Sequence, residues 1–419
     1  MRICIIALGS RGDTQPCVAL ARGLSRAGHA VRVATDPVFA SLVARHGIEF
    51  APVTAHEKQF FHTDDGRALL ERRNTLASWR VLSRRFAATV HQRFIDCWRA
   101  CQDADVVVAT PIAVPVGYSI AQKLERPLVR VLFSPLVSPS AAASYPRLIR
   151  AGQWIFMHAV WNFLRPATNR ARRDVLALPP LPAINPTREL DRHGWPVLCA
   201  YSRHVCPLSQ DSIAGSHVTG YWFLDSEPDW TPGPALTAFL DAGAPPVYVG
   251  FGSMAHRSPN ETMELVAAAL ARAGQRGIIA AGRREAAPIL TAPHTHVLDE
   301  APHEWLFGRV SAAVHHGGAG TTAAGLRAGI PMVIVPFGVP DQPIWGECVQ
   351  QLGVGPRPLP RRDLSVERLS DAILEVTGNP AMRHRAAALG VRIRAEDGVA
   401  RAVEILQTVI RRAAEPAGM

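Results

Sequence analysis

The sequence predicts an α/β protein built from two parallel-sheet domains, and three observations carry that expectation. Residues 2–52 alternate apolar strand-like runs with helical patterns, residues 247–335 repeat the same order, and an aperiodic stretch rich in Pro, Asp and aromatic residues at 221–236 lies between them. At 419 residues the chain is long enough for two or three domains at the usual ~150 residues each. An apolar fraction of 48% with 19% charged residues is that of an ordinary globular protein with a large core.

The run 1–8 is too short for the core of a signal peptide and reads as a first buried strand. A loop at 9–16 follows, then a helical pattern over 17–27, a strand at 30–35, a helix over 38–46 and a strand at 48–52. This βαβαβ order implies a parallel sheet covered by helices, in which ligands bind at the carboxyl ends of strands, so the Gly9 loop lies at a binding edge. Its Gly9-x-x-Gly12 spacing is not the G-x-G-x-x-G of a dinucleotide site, which argues against a nicotinamide cofactor.

Between 66 and 101, Trp79, Leu82, Phe86, Val90, Phe94 and Trp98 recur at steps of three or four, a helical stripe that forms core or the wall of an apolar pocket. Strands at 105–110 and 128–133 flank a helix at 114–124. Residues 153–164, with Trp154 and Trp161, are apolar almost all round and flanked by arginines. Burial as a pocket wall is the first reading of this helix, and contact with a membrane interface is the competing one. Pro179, Pro180 and Pro182 mark irregular chain before a strand at 197–201.

In the second half, strand 247–250 meets a loop at 251–254, followed by a helix at 262–273, strands at 277–280 and 296–298, a short helix at 302–307 and a strand at 311–314. Next comes His-His-Gly-Gly-Ala-Gly-Thr-Thr at 315–322. Strand, glycine loop and helix start together aim backbone N–H groups at an anion, and glycines let the backbone approach a phosphate closely. The stretch reads as a diphosphate cradle, with the hydroxyls of Thr321 and Thr322 adding hydrogen bonds at the helix start and the two histidines beside the phosphate oxygens. The competing reading makes His315 and His316 structural. A strand at 332–335 leads to a loop at 336–343 that carries Asp341 and Gln342, and 364–412 is helical, broken at 378–380 and 396–398.

The net charge of +10 is carried by arginine, with Lys58 and Lys123 the only lysines, and it suits anionic donors or anionic membrane surfaces. No run of like charge exceeds two residues, so no nucleic-acid footprint is present. Seven scattered cysteines without Cys-x-x-Cys suggest neither a disulfide frame nor a zinc site, and a reducing, cytoplasmic setting is expected. No apolar run approaches the ~20 residues of a membrane-spanning helix.

Six motifs occur in order along nearly the full chain: Gly-Ser-Arg-Gly-Asp-Thr at 9–14, Thr-Gly-Tyr-Trp-Phe at 219–223, Gly-Phe-Gly-Ser-Met at 250–254, Ala-Pro-His-Glu-Trp-Leu-Phe at 301–307, the histidine-glycine stretch, and Asp-Gln-Pro at 341–343. This pattern resembles the family 1 (UGT-type) glycosyltransferases, and most of all the sterol and microbial natural-product glucosyltransferases. The resemblance implies the GT-B fold of two facing Rossmann-like domains, with the acceptor in the first and the nucleotide sugar mainly in the second. The expected division is 1–220, a linker at 221–236, 237–397, and a last helix in 398–419 that packs back on the first domain.

Carried over residue by residue, the resemblance makes Asp13 the catalytic base. It places Ser10, Arg11, Gly12, Thr14, Gly252, Ser253, His303, His316, Gly318, Ala319, Gly320 and Thr321 at the nucleotide sugar, with Asp341 and Gln342 on sugar hydroxyls. The apolar stripes then offer Trp79, Phe86, Trp154 and Trp161 as acceptor contacts. Plant members carry a Glu on the ribose where this chain has Ala324, which leaves a TDP-sugar as open as a UDP-sugar, and a Trp where this chain has Glu300. Trp305 reads as core rather than as a platform for the base. Asp103 and Asp105 spell the D-x-D of metal-dependent enzymes of another fold class but precede a strand, and read as its polar start.

An alcohol attacking an anomeric carbon needs a base, and a departing nucleoside diphosphate needs its charge stabilised. The expectation is therefore an inverting, metal-independent O-glycosyltransferase that moves a hexose, glucose foremost, to a hydroxyl of a lipophilic acceptor, with no cofactor beyond the donor. Competing readings are a lipid-carrier or glycolipid transferase, a nucleotide-sugar epimerase, a silent activating homologue, and an Asp13 that merely caps the helix after it.

Overall fold

The computed structural model describes residues 1–54, 76–135, 147–183, 190, 193–207, 215–224, 230–251, 259–280, 294–337 and 341–414, of which 76–88, 147–160, 259–260 and 412–414 are described by backbone alone. Its contacts divide the chain into two units. Unit 1 comprises Met1–Arg203, Pro207–Leu224 and Asp397–Met419, and unit 2 comprises His204–Cys206 and Asp225–Glu396.

Unit 1 is built on a seven-stranded parallel sheet: β1 (Arg2–Ile6), β2 (Ala30–Thr35), β3 (Glu49–Pro52), β4 (Val106–Ala109), β5 (Leu128–Leu132), β6 (Val197–Cys199) and β7 (Ser216–Val218), in the order β3-β2-β1-β4-β5-β6-β7. Its central strands β1, from Ile3 onward, and β4 are apolar because both faces are covered. Ile3 and Ile5 face one core with Val106 and Val108, while Cys4 and Ile6 face the other with Val107 and Ala109. Helices α1 (Arg11–Arg26), α2 (Ala40–Arg45), α3 (Leu76–Cys101), α4 (Val114–Leu124) and α5 (Arg147–Leu176) supply the cover.

Two helices depart from expectation. The expected loop 9–16 is mostly helix, since α1 starts at Arg11 with Pro16 inside it. A capping box between Ser10 and Asp13 sets that start and outweighs the one hydrogen bond that Pro16 cannot make. The expected helix 153–164 is the middle of the 30-residue α5, which runs on through Pro166.

Unit 2 opens with α6 (Pro234–Asp241), which begins inside the stretch expected as linker. Its five strands β8 (Val247–Gly250), β9 (Gly277–Ala280), β10 (Thr295–Leu298), β11 (Ala312–His315) and β12 (Met332–Ile334) are all parallel, in the order β10-β9-β8-β11-β12. Around them lie α7 (Pro259–Arg272), α8 (His303–Phe307), α9 (Ala319–Ala328), α10 (Asp341–Gln351), α11 (Val366–Gly378) and α12 (Pro380–Arg394). Two arginines of α12 serve the C-terminal ends of other helices: Arg394 donates to the Arg327 carbonyl in α9, and Arg385 to the Gly353 carbonyl just past α10. Positive charge there complements the helix dipoles.

The last helix, α13 (Gly398–Ala414), returns to unit 1, where Ala402, Val403, Leu406 and Ile410 join the core that α1 builds. Its first residue is glycine for a steric reason, because a Cβ on Gly398 would stand 2.5 Å from the Tyr221 carbonyl oxygen. Among the described residues no helix is long and apolar enough to cross a membrane.

Candidate functional site

Each sheet reverses its strand order once, between β1 and β4 in unit 1 and between β8 and β11 in unit 2. Connections leaving the carboxyl ends at such a point run to opposite faces and open a crevice. Three of the six motifs, at 9–14, 250–254 and 315–322, fall at these two points. In unit 1 it is the Gly9 loop that follows β1. In unit 2 it is the His316 loop that follows β11, next to the β8 loop in which Gly252 and Ser253 lie outside the described residues.

At the unit 1 crevice, the buried Thr110 hydroxyl, just past β4, accepts from the Leu8 N–H at 3.1 Å and donates to the Leu8 carbonyl at 3.2 Å, tying the two strand ends together. Gly9 then turns the chain at φ +127°, and any Cβ there would strike the Asp13 carboxylate. Ser10 is the N-cap: its Oγ accepts from Gly12 N–H at 3.2 Å, and its own N–H and hydroxyl donate to Asp13 Oδ2 at 2.7 and 2.9 Å. Asp13 is thus the third residue of α1 and half-buried, with the carboxylate held in one orientation at the binding edge. Both bonds fall on one of its oxygens, Oδ2. Arg11 and Gly12 are exposed beside it, Arg11 donating to Gln15 Oε1 at 3.0 Å. Thr14 corrects the expectation of a donor contact, because it is fully buried with Oγ1 3.2 Å from that of Thr35.

In unit 2, β11 ends on His315, which is fully buried and structural: Nδ1 accepts from Gly317 N–H at 3.1 Å, and Nε2 lies 3.4 Å from Met332 Sδ. Burial pushes its pKa well below the usual histidine value, so it stays neutral. Gly317 makes the turn at φ +86°, where a Cβ would stand 2.8 Å from Ile334 Cγ2. The His316 ring lies over the start of α9, close enough that a Cβ on Gly318 would be 2.5 Å from Nε2. Burial pushes His316 down from 6.5 to about 4, against the opposing pull of the Gly250 backbone. It is therefore a neutral imidazole rather than a positive charge.

Gly318 is the N-cap of α9, and no side chain caps the helix. The N–H groups of Ala319, Gly320 and Thr321 precede the first intrahelical bond, from Thr322 N–H to the Gly318 carbonyl at 2.9 Å, and nothing stands within 4 Å of a Cβ built on Gly320. The Thr322 hydroxyl is spent inward, donating to the same carbonyl at 2.9 Å, which leaves the helix start to the half-buried Ala319 and Thr321 and the exposed Gly320.

Asp341 and Gln342 open α10 instead of lying in a loop. Gln342 is only 2% exposed, and its Oε1 accepts from Phe337 N–H at 2.7 Å, so it pins the chain after β12. Asp341 is half-buried, and burial raises its pKa while its own N–H and that of Gln342 oppose the rise. His303 opens α8 with Nε2 3.3 Å from Tyr248 Oη. Trp305 is half-buried, with Arg309 over the ring at 4.1 Å and Trp230 tilted against it at 4.9 Å between ring centroids.

Two family models match the two halves. Residues 3–135 match the glycosyltransferase family 28 N-terminal domain, and residues 265–409 match the erythromycin biosynthesis protein CIII-like C-terminal domain. A sterol 3-beta-glucosyltransferase of Aspergillus fumigatus is 34% identical over 430 residues, covering 97% of this chain and 30% of that protein. One from Pichia angusta is 32% identical, with 97% of this chain and 33% of that protein covered. The chain thus spans about a third of the length of these curated relatives. Among solved structures, the calicheamicin glycosyltransferase CalG4 superposes with TM-score 0.70 at 20% identity, covering 99% of this chain and 100% of that one. The Streptomyces sp. SF2575 glycosyltransferase SsfS6, complexed with thymidine diphosphate, does so with TM-score 0.63 at 19% identity, covering 97% and 99%. The chain belongs to the family 1 (UGT-type) GT-B glycosyltransferases.

The D-x-D pair is taken up by structure. Asp103 is ion-paired with Arg2 and with Arg32, the latter at 2.9 Å, and Asp105 accepts the Arg2 N–H at 2.9 Å. Both lie at the amino end of β4, the edge opposite the crevice. Trp161 corrects the expectation of an acceptor contact: it is 8% exposed, packed in a unit 1 core, with Nε1 donating to the Pro182 carbonyl at 3.2 Å. The side chains of Trp79, Phe86 and Trp154 lie outside the described residues. Sequence reasoning missed Tyr248 and Thr110. A Tyr inside an apolar strand and a Thr at a strand end look like core, and only three-dimensional neighbours reveal what they hold.

Proposed function

We propose that the chain is an inverting, metal-independent O-glycosyltransferase that moves a hexose, glucose foremost, from a UDP- or TDP-sugar to a hydroxyl of a lipophilic acceptor of the sterol or macrolide kind. The observation that carries this reading is the uncapped start of α9 at the β8/β11 reversal, with His316 over it. Helix N–H groups and the dipole favour an anion there by roughly 0.3–2 kcal/mol. They are in place before negative charge grows on the departing diphosphate, so no reorganisation is needed when the sugar–phosphate bond breaks. His316 adds a neutral hydrogen bond. Asp341 holds sugar hydroxyls, and Gln342, spent on the Phe337 N–H instead of on the sugar, ties the start of α10 to the chain after β12.

The acceptor hydroxyl attacks the anomeric carbon from the face opposite the leaving group and gives its proton to Asp13, whose carboxylate the Ser10 bonds hold in orientation. One displacement inverts the anomeric centre. Sterol-like acceptors are supported by the names of the relatives, and a TDP donor by the thymidine diphosphate bound to a structural neighbour and by Ala324, which offers no carboxylate to a ribose. A cytoplasmic setting accords with seven free cysteines.

The test is a transfer screen in EDTA, with UDP-glucose and TDP-glucose against sterols, macrolides and polyphenols, read by product mass. An acceptor gaining one hexose, undiminished by EDTA, is expected. Transfer restored only by Mg²⁺ or Mn²⁺ would overturn metal independence, and a donor converted to another nucleotide sugar with the acceptors untouched would make the protein an epimerase.

A further inference from the structure

Tyr248 and His303 form a pair whose geometry dictates where the imidazole proton sits. Tyr248, on β8, is 5% exposed, and its hydroxyl fills the space beside Gly250 that a Cβ would occupy. Its one hydrogen-bond partner among the described residues is His303 Nε2, at 3.3 Å. A buried phenol that does not donate leaves an orphan O–H, which costs more than an unused lone pair. Burial also raises the phenol pKa, so the proton stays on oxygen. The hydroxyl therefore donates, Nε2 accepts, and the neutral ring keeps its proton on Nδ1. Aromatic contacts fix the ring plane as well: Phe307 stacks on His303 at 4.7 Å and 21°, and Tyr248 meets it edge-on at 5.6 Å and 80°.

We propose that Tyr248 is a positioning residue of the donor site: its hydroxyl keeps His303 a neutral imidazole protonated on Nδ1, so that His303 meets the nucleoside diphosphate as an N–H donor of fixed orientation. The tautomer follows from the pair itself, whereas its use in binding rests on the reading of His303 as a donor contact.

The experiment is nitrogen-15 NMR of the histidine rings in the full chain, with the His303 signals identified by their loss in His303→Asn, alongside titrations with TDP and UDP. The unsubstituted protein is expected to show Nδ1 protonated and Nε2 bare. In Tyr248→Phe the His303 population moves toward the Nε2–H form, and diphosphate affinity falls by roughly 3-fold to 10-fold, the range of one hydrogen bond. In the His303→Asn background, whose amide N–H takes the place of Nδ1–H, Tyr248→Phe should weaken binding no further. An Nε2–H tautomer in the unsubstituted protein, or a tautomer indifferent to Tyr248→Phe, overturns the proposal. The expected tautomer with TDP and UDP affinities unchanged in both Tyr248→Phe and His303→Asn would overturn the donor-site reading of His303 instead.

Discussion

Asp13→Asn is expected to lower kcat by about 100-fold to 10,000-fold, the usual contribution of a general base, while the thermal midpoint hardly moves. Asn keeps an oxygen that can accept the two Ser10 hydrogen bonds, so the capping box survives while proton acceptance is lost. Asp13→Ala removes both and should in addition cost ~0.5–2 kcal/mol of stability, read by urea unfolding. Near-normal turnover of Asp13→Asn would reduce the residue to its structural role in α1. The contrast is needed because the structure shows that the cap role is real: the question is whether the carboxylate does a second job.

The second large effect is at His316. His316→Ala is expected to lower kcat/KM for the donor roughly 100-fold, in the range found when a preorganised donor to a developing negative charge is removed. Donor binding and turnover should both fall, since the contact is made to the bound donor and strengthens as negative charge grows on the departing diphosphate. Because burial holds the imidazole near a pKa of about 4, it works as a neutral group. His316→Gln, which keeps a neutral N–H, should therefore recover much of the loss.

The same shift sets a stability profile with a definite sign. An unfolded His316 takes up a proton below its ordinary 6.5, whereas the folded one does so only near 4. Stability should fall as pH drops from 6.5 toward 4 and be insensitive to this group above 6.5. His315, depressed in the same direction, adds to the slope, and thermal midpoints of His316→Gln across that window should show a shallower fall.

The sheet strands were legible in the sequence because both faces are buried: Ile3, Cys4, Ile5 and Ile6 leave no polar residue to confuse the pattern. Strand order was not legible, since nothing local tells β1 to pair with β4. The three-residue β7 carried too little signal to be seen. Proline misled twice. Pro16 concealed the first turns of α1, and Pro343 made the start of α10 look like loop, although proline is tolerated in a first turn.

The motifs located both crevices, yet spacing alone does not say which way each side chain points. On α1, Asp13 stays at the edge while Thr14, the next residue, turns into the core, and on α10 Gln342 turns inward after Asp341. His315 and His316 part in the same manner, one ending a buried strand and the other lying over the helix. Tyr248 could not be read at all, because its function depends on a histidine 55 positions away.

Single displacement by one base fixes the configuration of the new glycosidic bond. With UDP-α-D-glucose or TDP-α-D-glucose as donor, proton NMR of the product as it first forms should show the large anomeric coupling of a β-linked glucoside. An α-linked product would mean retention and would contradict attack by an acceptor deprotonated at Asp13.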